Sequence, residues 1–184
     1  MGGLASKEQL RMSFIRWALV TVPGIIFLGF LAGRTSNSGF GNRWFDALEK
    51  PAIFPPGWLF PIAWTILYIM LGLVLAMLLH ARGAKGRGLA LGLFLTQLLL
   101  NFSWTALFFT AHQVTLALVL IVTILALTIA ATFAIAPIRK QAAWMMVPYM
   151  VWLTLASLIT LQIDQLNPDA EMMVPPTPAA EIIL

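Results

Sequence analysis

Five apolar runs, at about 15–33, 58–79, 88–109, 114–136 and 142–163, take up most of the 184 residues. At ~1.5 Å of rise per residue, each is long enough as a helix to cross ~30 Å of hydrocarbon. Apart from Arg16, at the entry to the first run, none contains Asp, Glu, Lys, Arg or His. In hydrocarbon the backbone has to satisfy its own polar groups, and runs of this length do so as helices. The chain is therefore expected to be all-α, a polytopic membrane protein with one bundle of five transmembrane helices over 15–164. A polar segment at 1–14 precedes the bundle. A Pro-rich acidic tail at 165–184 follows it, with too little apolar surface to fold alone and so expected to be disordered. Charged residues make up 10% of the chain, against a globular norm of roughly 25%, which agrees with a membrane protein.

The first run follows Lys7 and Arg11 but exceeds the roughly 7 to 15 apolar residues of a secretory signal, and no small-residue cleavage pattern follows it. It reads as a retained helix, with Pro23 as a kink site and Gly29 with Gly33 as a small-x-x-x-small pair suited to close helix contact. Lys7, Arg11, Arg16, Arg82, Lys85, Arg87, Arg139 and Lys140 fall on one side of the bundle, and Arg34, Arg43 and Lys50 on the other. The positive-inside rule then puts the N-terminus in the cytoplasm of a bacterial inner membrane, and the long first loop and C-terminus outside. That rule has no force in an outer membrane. Because these basic residues are explained by topology, the net charge of +4 is not read as a nucleic-acid signal.

The one long connection, 34–57, contains R-W-F-D-A-L-E-K-P at 43–51. Two readings of it stay open: an interfacial helix with Trp44 and Phe45 at headgroup level, or a lid over the mouth of the bundle. The fourth run, almost wholly Ala, Leu, Ile, Val and Thr, reads as lipid-facing scaffold. The third begins G-L-A-L-G, so Gly88 and Gly92 offer a face for dimerisation.

Conventional catalysis has no candidates. There is no cysteine, and His80 and His112 lie at opposite ends of the bundle, so no metal site is expected. No Ser, His and acid combination, phosphate loop or facing carboxylate pair is present, and ion-coupled transport lacks its usual intramembrane charges. What remains is aromatic: seven Trp, two Tyr and twelve Phe. Trp17 and Trp144 fit an interfacial aromatic belt. Phe60, Trp64 and Tyr68 recur every fourth residue and share one helix face. Gln97, Asn101, Trp104 and Phe108 share another, and Tyr149, Trp152, Ala156 and Ile159 a third. Such stripes are commonly helix packing. Three of them in a small bundle, one bearing two amides, also fit a pocket for a flat, largely apolar ligand, and the residues alone leave both readings open.

Four segments in order, R-W-F-D-A-L-E-K-P at 43–51, P-P-G-W-L-F-P-I-A-W-T-I-L-Y at 55–68, Q-L-L-L-N-F-S-W-T-A-L-F-F at 97–109 and V-P-Y-M-V-W-L-T-L-A-S at 147–157, resemble the TspO family, also called tryptophan-rich sensory protein, translocator protein or peripheral-type benzodiazepine receptor. The resemblance implies a five-helix membrane protein that binds porphyrins such as protoporphyrin IX and haem as ligands, with no required cofactor. It implies a homodimer, placed here at the Gly88 and Gly92 face of the third helix. The ligand-binding positions it implies are Trp44, Phe60, Trp64, Tyr68, Asn101, Phe108, Trp152 and Ala156. In some bacterial members, tryptophans matching Trp64 and Trp152 are tied to light- and oxygen-dependent porphyrin breakdown, which would make those two the catalytic residues. The chain departs from the family pattern at Ile53, at Ala106, where a missing proline predicts a straighter third helix, and at Thr160. No Lys or Arg follows Tyr149 at the spacing of a cholesterol motif, so sterol is a poor first expectation. Three functions follow: a porphyrin sensor, carrier or sequestering protein; a photo-oxidative porphyrin-degrading enzyme; or a regulatory scaffold for a partner protein.

Overall fold

A computed structural model describes residues 7–173. Its helices are α1 (Lys7–Thr35), the short α2 (Arg43–Ala47), α3 (Leu59–His80), α4 (Arg87–Thr105), α5 (Val114–Ile135) and α6 (Lys140–Leu166). All but α2 are long and apolar enough to cross a membrane, making five such helices among the described residues. The protein is a multi-pass all-α membrane protein.

The long helices close into a ring in which α1 packs on α3, α3 on α6, α6 on α5, α5 on α4, and α4 returns to α1. The α1–α3 seam is the tightest. A Cβ on Gly72 would come within 2.6 Å of the Val22 Cα, and the Thr21 hydroxyl donates to the Gly72 carbonyl at 2.7 Å. Gly29, one of the small residues expected to allow close contact, lies directly against the Tyr68 ring. The end of the ring away from the long loop is solid, with Leu71, Val74, Leu78, Phe94, Ile135 and Met146 almost fully buried. There the Arg87 guanidinium closes the last turn of α3, its Nε donating to the Leu78 carbonyl at 2.6 Å and its Nη2 to that of Leu79 at 3.2 Å.

Four features differ from the sequence reading. Residues 7–14 of the polar leader are already helix, while 1–6 lie outside the described residues. Losing the proline at Ala106 does not straighten the third span, because Ala106–Thr110 winds as a π helix, with Ala111 N–H donating to the Ala106 carbonyl at 2.9 Å. α5 is more than lipid-facing scaffold: Val114, Ala117, Ile121, Ile124, Thr128, Ala131 and Ile135 form a buried stripe between α4 and α6. The segment expected to be unfolded from Gln165 continues as ordered chain through a 3-10 turn at Ala170–Met172, with Ala170 buried. Residues 174–184 of the expected tail lie outside the described residues.

Candidate functional site

Beneath the long loop the ring is hollow, enclosing a cavity of about 900 Å³. Four-residue spacing puts Phe60, Trp64 and Tyr68 one above another on α3, as the helical period requires. α6 answers with Trp152 and Ala156. The Trp152 ring meets Phe60 edge-on at 5.7 Å and Trp64 edge-on at 6.2 Å, while Trp64 lies 5.0 Å from Tyr68. Offsets and edge-to-face angles of this kind are what aromatic quadrupoles favour. α4 contributes Asn101, Trp104 and Phe108, with the Trp104 and Phe108 rings stacked at 4.9 Å. The π turn carries Phe108 and Phe109 into the wall and the roof.

Seven of the eight ligand-binding positions implied by the sequence therefore line one cavity. Trp44 does not. It is 1% exposed and faces away from the cavity, stacked on His112 at 4.3 Å, edge-on to Phe108 at 5.4 Å, its Nε1 donating to the Ala170 carbonyl at 2.8 Å. Its neighbour Phe45 turns inward and lines the cavity instead. Trp44 and Phe45 are both packed inside the protein, so α2 forms part of a lid over the cavity. The lid is fastened at several points. Asn42 caps α2 by accepting from the Phe45 N–H at 3.0 Å. The Lys50 ammonium donates to the carbonyls of Phe45 at 2.6 Å, Leu48 at 2.9 Å and Asp46 at 3.3 Å, and lies 4.7 Å from the Phe45 ring centre. Partial burial lowers the Lys50 pKa below the ordinary lysine value, with Asp46 acting in the opposite sense. Asn167 clasps Glu49 from the C-terminal side, accepting from its N–H at 2.8 Å and donating to its carbonyl at 2.9 Å. The ordered start of the expected tail thus helps to hold the lid down, alongside the bond from Asn42 Nδ2 to the Phe109 carbonyl at 3.2 Å.

The two amides divide their roles. Gln97 is fully buried outside the cavity, its Oε1 accepting from the Tyr149 hydroxyl at 3.0 Å and approached by the Thr128 hydroxyl at 3.3 Å. Asn101 is 7% exposed and lines the cavity, and its Oδ1 has no hydrogen-bond partner. Several lining residues were not singled out from sequence: Phe30 of α1, Phe40 and Phe54 of the loop, Ile121 and Ile124 of α5, and Arg34 at the end of α1. The isoleucines carry no signal in so uniform a run, whereas Gly29 and Gly33 marked the α1 face beside which Phe30 and Arg34 sit. Gly88 and Gly92 lie on the outer face of α4, away from the cavity, where an added Cβ would meet nothing within 4 Å.

A model of the TspO/MBR family matches residues 19–166. The chain is 38% identical over 142 residues to the tryptophan-rich protein TspO of Chlorobaculum tepidum, covering 77% of this chain and 89% of that protein. It is 31% identical to the tryptophan-rich sensory protein of Cereibacter sphaeroides, over 77% of this chain and 91% of the relative. With the translocator protein of Bos taurus the identity is 32%, over 79% and 90%.

Proposed function

Because the chain belongs to the TspO/MBR family, we propose that it binds a porphyrin-type tetrapyrrole, protoporphyrin IX or haem, in the cavity beneath the lid, and acts as a sensor, carrier or sequestering protein. The observation that carries this reading is the cavity itself. Its volume of about 900 Å³ falls in the range of ~300–1,000 Å³ found for small-molecule sites, and its facing walls are Phe60, Trp64 and Tyr68 against Trp152 and Ala156. A flat conjugated ring gains most from such walls, through area burial and ring contacts together. Asn101 borders this largely apolar chamber with an amide, the kind of isolated polar group that orients a ligand in such sites.

A second reading is favoured by one observation: Trp64 and Trp152 stand 6.2 Å apart, both on the cavity wall. Beside a photoexcited ring either indole is an electron donor, with dioxygen as the terminal oxidant, and no acid–base residue is needed. The proposed setting is a bacterial inner membrane with the N-terminus cytoplasmic, and the proposed assembly a homodimer through the Gly88 and Gly92 face.

Titration of the purified protein with protoporphyrin IX in the dark, followed by tryptophan quenching, and then illumination in air separates the readings. Saturable quenching with no bleaching beyond a detergent control supports the sensor or carrier. Accelerated bleaching that is lost in Trp64→Phe or Trp152→Phe supports the enzyme. Quenching that rises without saturation contradicts both.

A further inference from the structure

Arg16 stands within the membrane-length part of α1, Arg11–Thr35, and its side chain is exposed. At ~100° per residue it lies about half a turn around the helix from Ile25, which is buried on the α1 face that packs against α3. Its own face is shared with Met12, Leu19, Val20 and Phe27, all apolar and all exposed. That is the face α1 turns to lipid. A guanidinium there is costly unless its head reaches the interface and meets an anion. The described protein supplies none: Arg16 has no hydrogen bond, ion pair or ring contact among the described residues. Glu8, the one acidic side chain described at this end of the bundle, lies two turns back, ~12 Å along the helix. The helix dipole offers nothing either, since its negative end is at Thr35.

The protein around Arg16 adds charge of the same sign. His80, at the end of α3, has its Nδ1 3.3 Å from the Ser13 hydroxyl and its ring 6.4 Å from that of Phe14, so the α3–α4 loop leaves from beside α1. That loop carries Arg82 and Lys85, both exposed and both without a partner among the described residues. Basic loops of this kind follow from membrane topology. An arginine on the lipid face of a span does not.

We propose that the lipid face of α1 holds an anionic phospholipid, its phosphate on Arg16 and its acyl chains along Leu19, Val20 and Phe27. The planar guanidinium fork matches two phosphate oxygens, and the interface shields the pair from water. Arg82 and Lys85 nearby favour a headgroup of net negative charge over a zwitterionic one. The site is outside the chamber and independent of the tetrapyrrole reading.

The test titrates delipidated protein in a non-ionic detergent with phosphatidylglycerol or phosphatidylcholine of identical chains and counts bound lipid by native mass spectrometry. Wild type is compared with Arg16→Gln and with the double variant Arg139→Gln/Lys140→Gln, which removes two exposed cations at the start of α6, two places round the ring from α1. The expected result is that wild type prefers phosphatidylglycerol, that Arg16→Gln weakens its binding about fivefold, and that the double variant weakens it less than twofold. A wild type without preference overturns the proposal. So does a double variant that loses as much as Arg16→Gln, because the preference then belongs to the diffuse charge of this end. A second measurement needs no variant: wild type is irradiated with phosphatidylglycerol carrying a photoactivatable acyl chain and digested with trypsin. Adducts on the peptide 17–34 in excess of those from the phosphatidylcholine analogue are expected, and equal adducts from the two lipids overturn the site.

Discussion

Gln97 and Asn101 sit one turn apart on α4, and that single turn separates a structural amide from one open to the cavity. Gln97 is sealed between α5 and α6 by the Tyr149 and Thr128 hydroxyls, a network in which the 3.0 Å bond from Tyr149 is the shorter arm. Tyr149→Phe removes that donor and leaves the Gln97 carbonyl oxygen buried, so the expected cost is about 1–3 kcal/mol of stability. The purified variant should show a lowered thermal midpoint while its protoporphyrin IX Kd stays within about twofold of wild type, because Tyr149 is outside the cavity lining. An unchanged midpoint would mean that Gln97 is not held this way. Trp44 shows the same division in the lid. It is buried and hydrogen-bonded to Ala170, so it fastens the lid rather than lining the chamber, and the ring offered to a ligand is that of Phe45.

α4 uses both of its faces. Inward it presents Asn101, Trp104 and Phe108; outward Gly88, Gly92, Leu95 and Leu99 remain uncovered. Since the chain contains no cysteine, Gly92→Cys creates a single thiol, and the open space there accepts the new side chain without strain within the protomer. Oxidation of membranes containing this variant should give a cross-linked dimer. A thiol moved to the exposed Phe133 of α5 (Phe133→Cys) should not cross-link, and equal yields from the two would remove the α4 dimer. The inward faces of α3, α4 and α6 were legible in the sequence because aromatic and amide residues recurring at offsets of three and four are a strong helical signal. α5 was not, since in a run of Ala, Leu, Ile, Val and Thr its buried stripe of Ile121, Ile124, Thr128 and Ala131 looks like its lipid face. The π turn at Ala106–Thr110 was likewise hidden, because the substitution that removes a proline carries no sign of what the ladder does instead. The ordered stretch to Met173 was misread for another reason: Asn167 and Ala170 are individually unremarkable, and their contacts with Glu49 and Trp44 span more than a hundred residues of sequence.

The whole molecule is a ring of five membrane-length helices, solid at one end and hollow at the other, with the hollow end roofed by the first loop and strapped by the start of the C-terminal segment. Close packing at the solid end lets the other end keep a large chamber without collapse, since the α1–α3 seam at Gly72 and the Gln97 network fix the helices where they meet. The account centres on that chamber being where the tetrapyrrole binds. Ala156 lies on its wall, one turn from Trp152, so Ala156→Phe pushes a ring into the space the ligand is expected to occupy while disturbing no hydrogen bond of the Ala156 side chain. The direct measurement is the protoporphyrin IX Kd of Ala156→Phe beside that of wild type, with the thermal midpoint of each recorded in the absence of ligand. Binding weakened by about tenfold or more, about 1.4 kcal/mol, with the midpoint kept or raised, is the predicted result. An unchanged Kd in a protein of unchanged stability would contradict it, and would place the porphyrin somewhere other than the chamber.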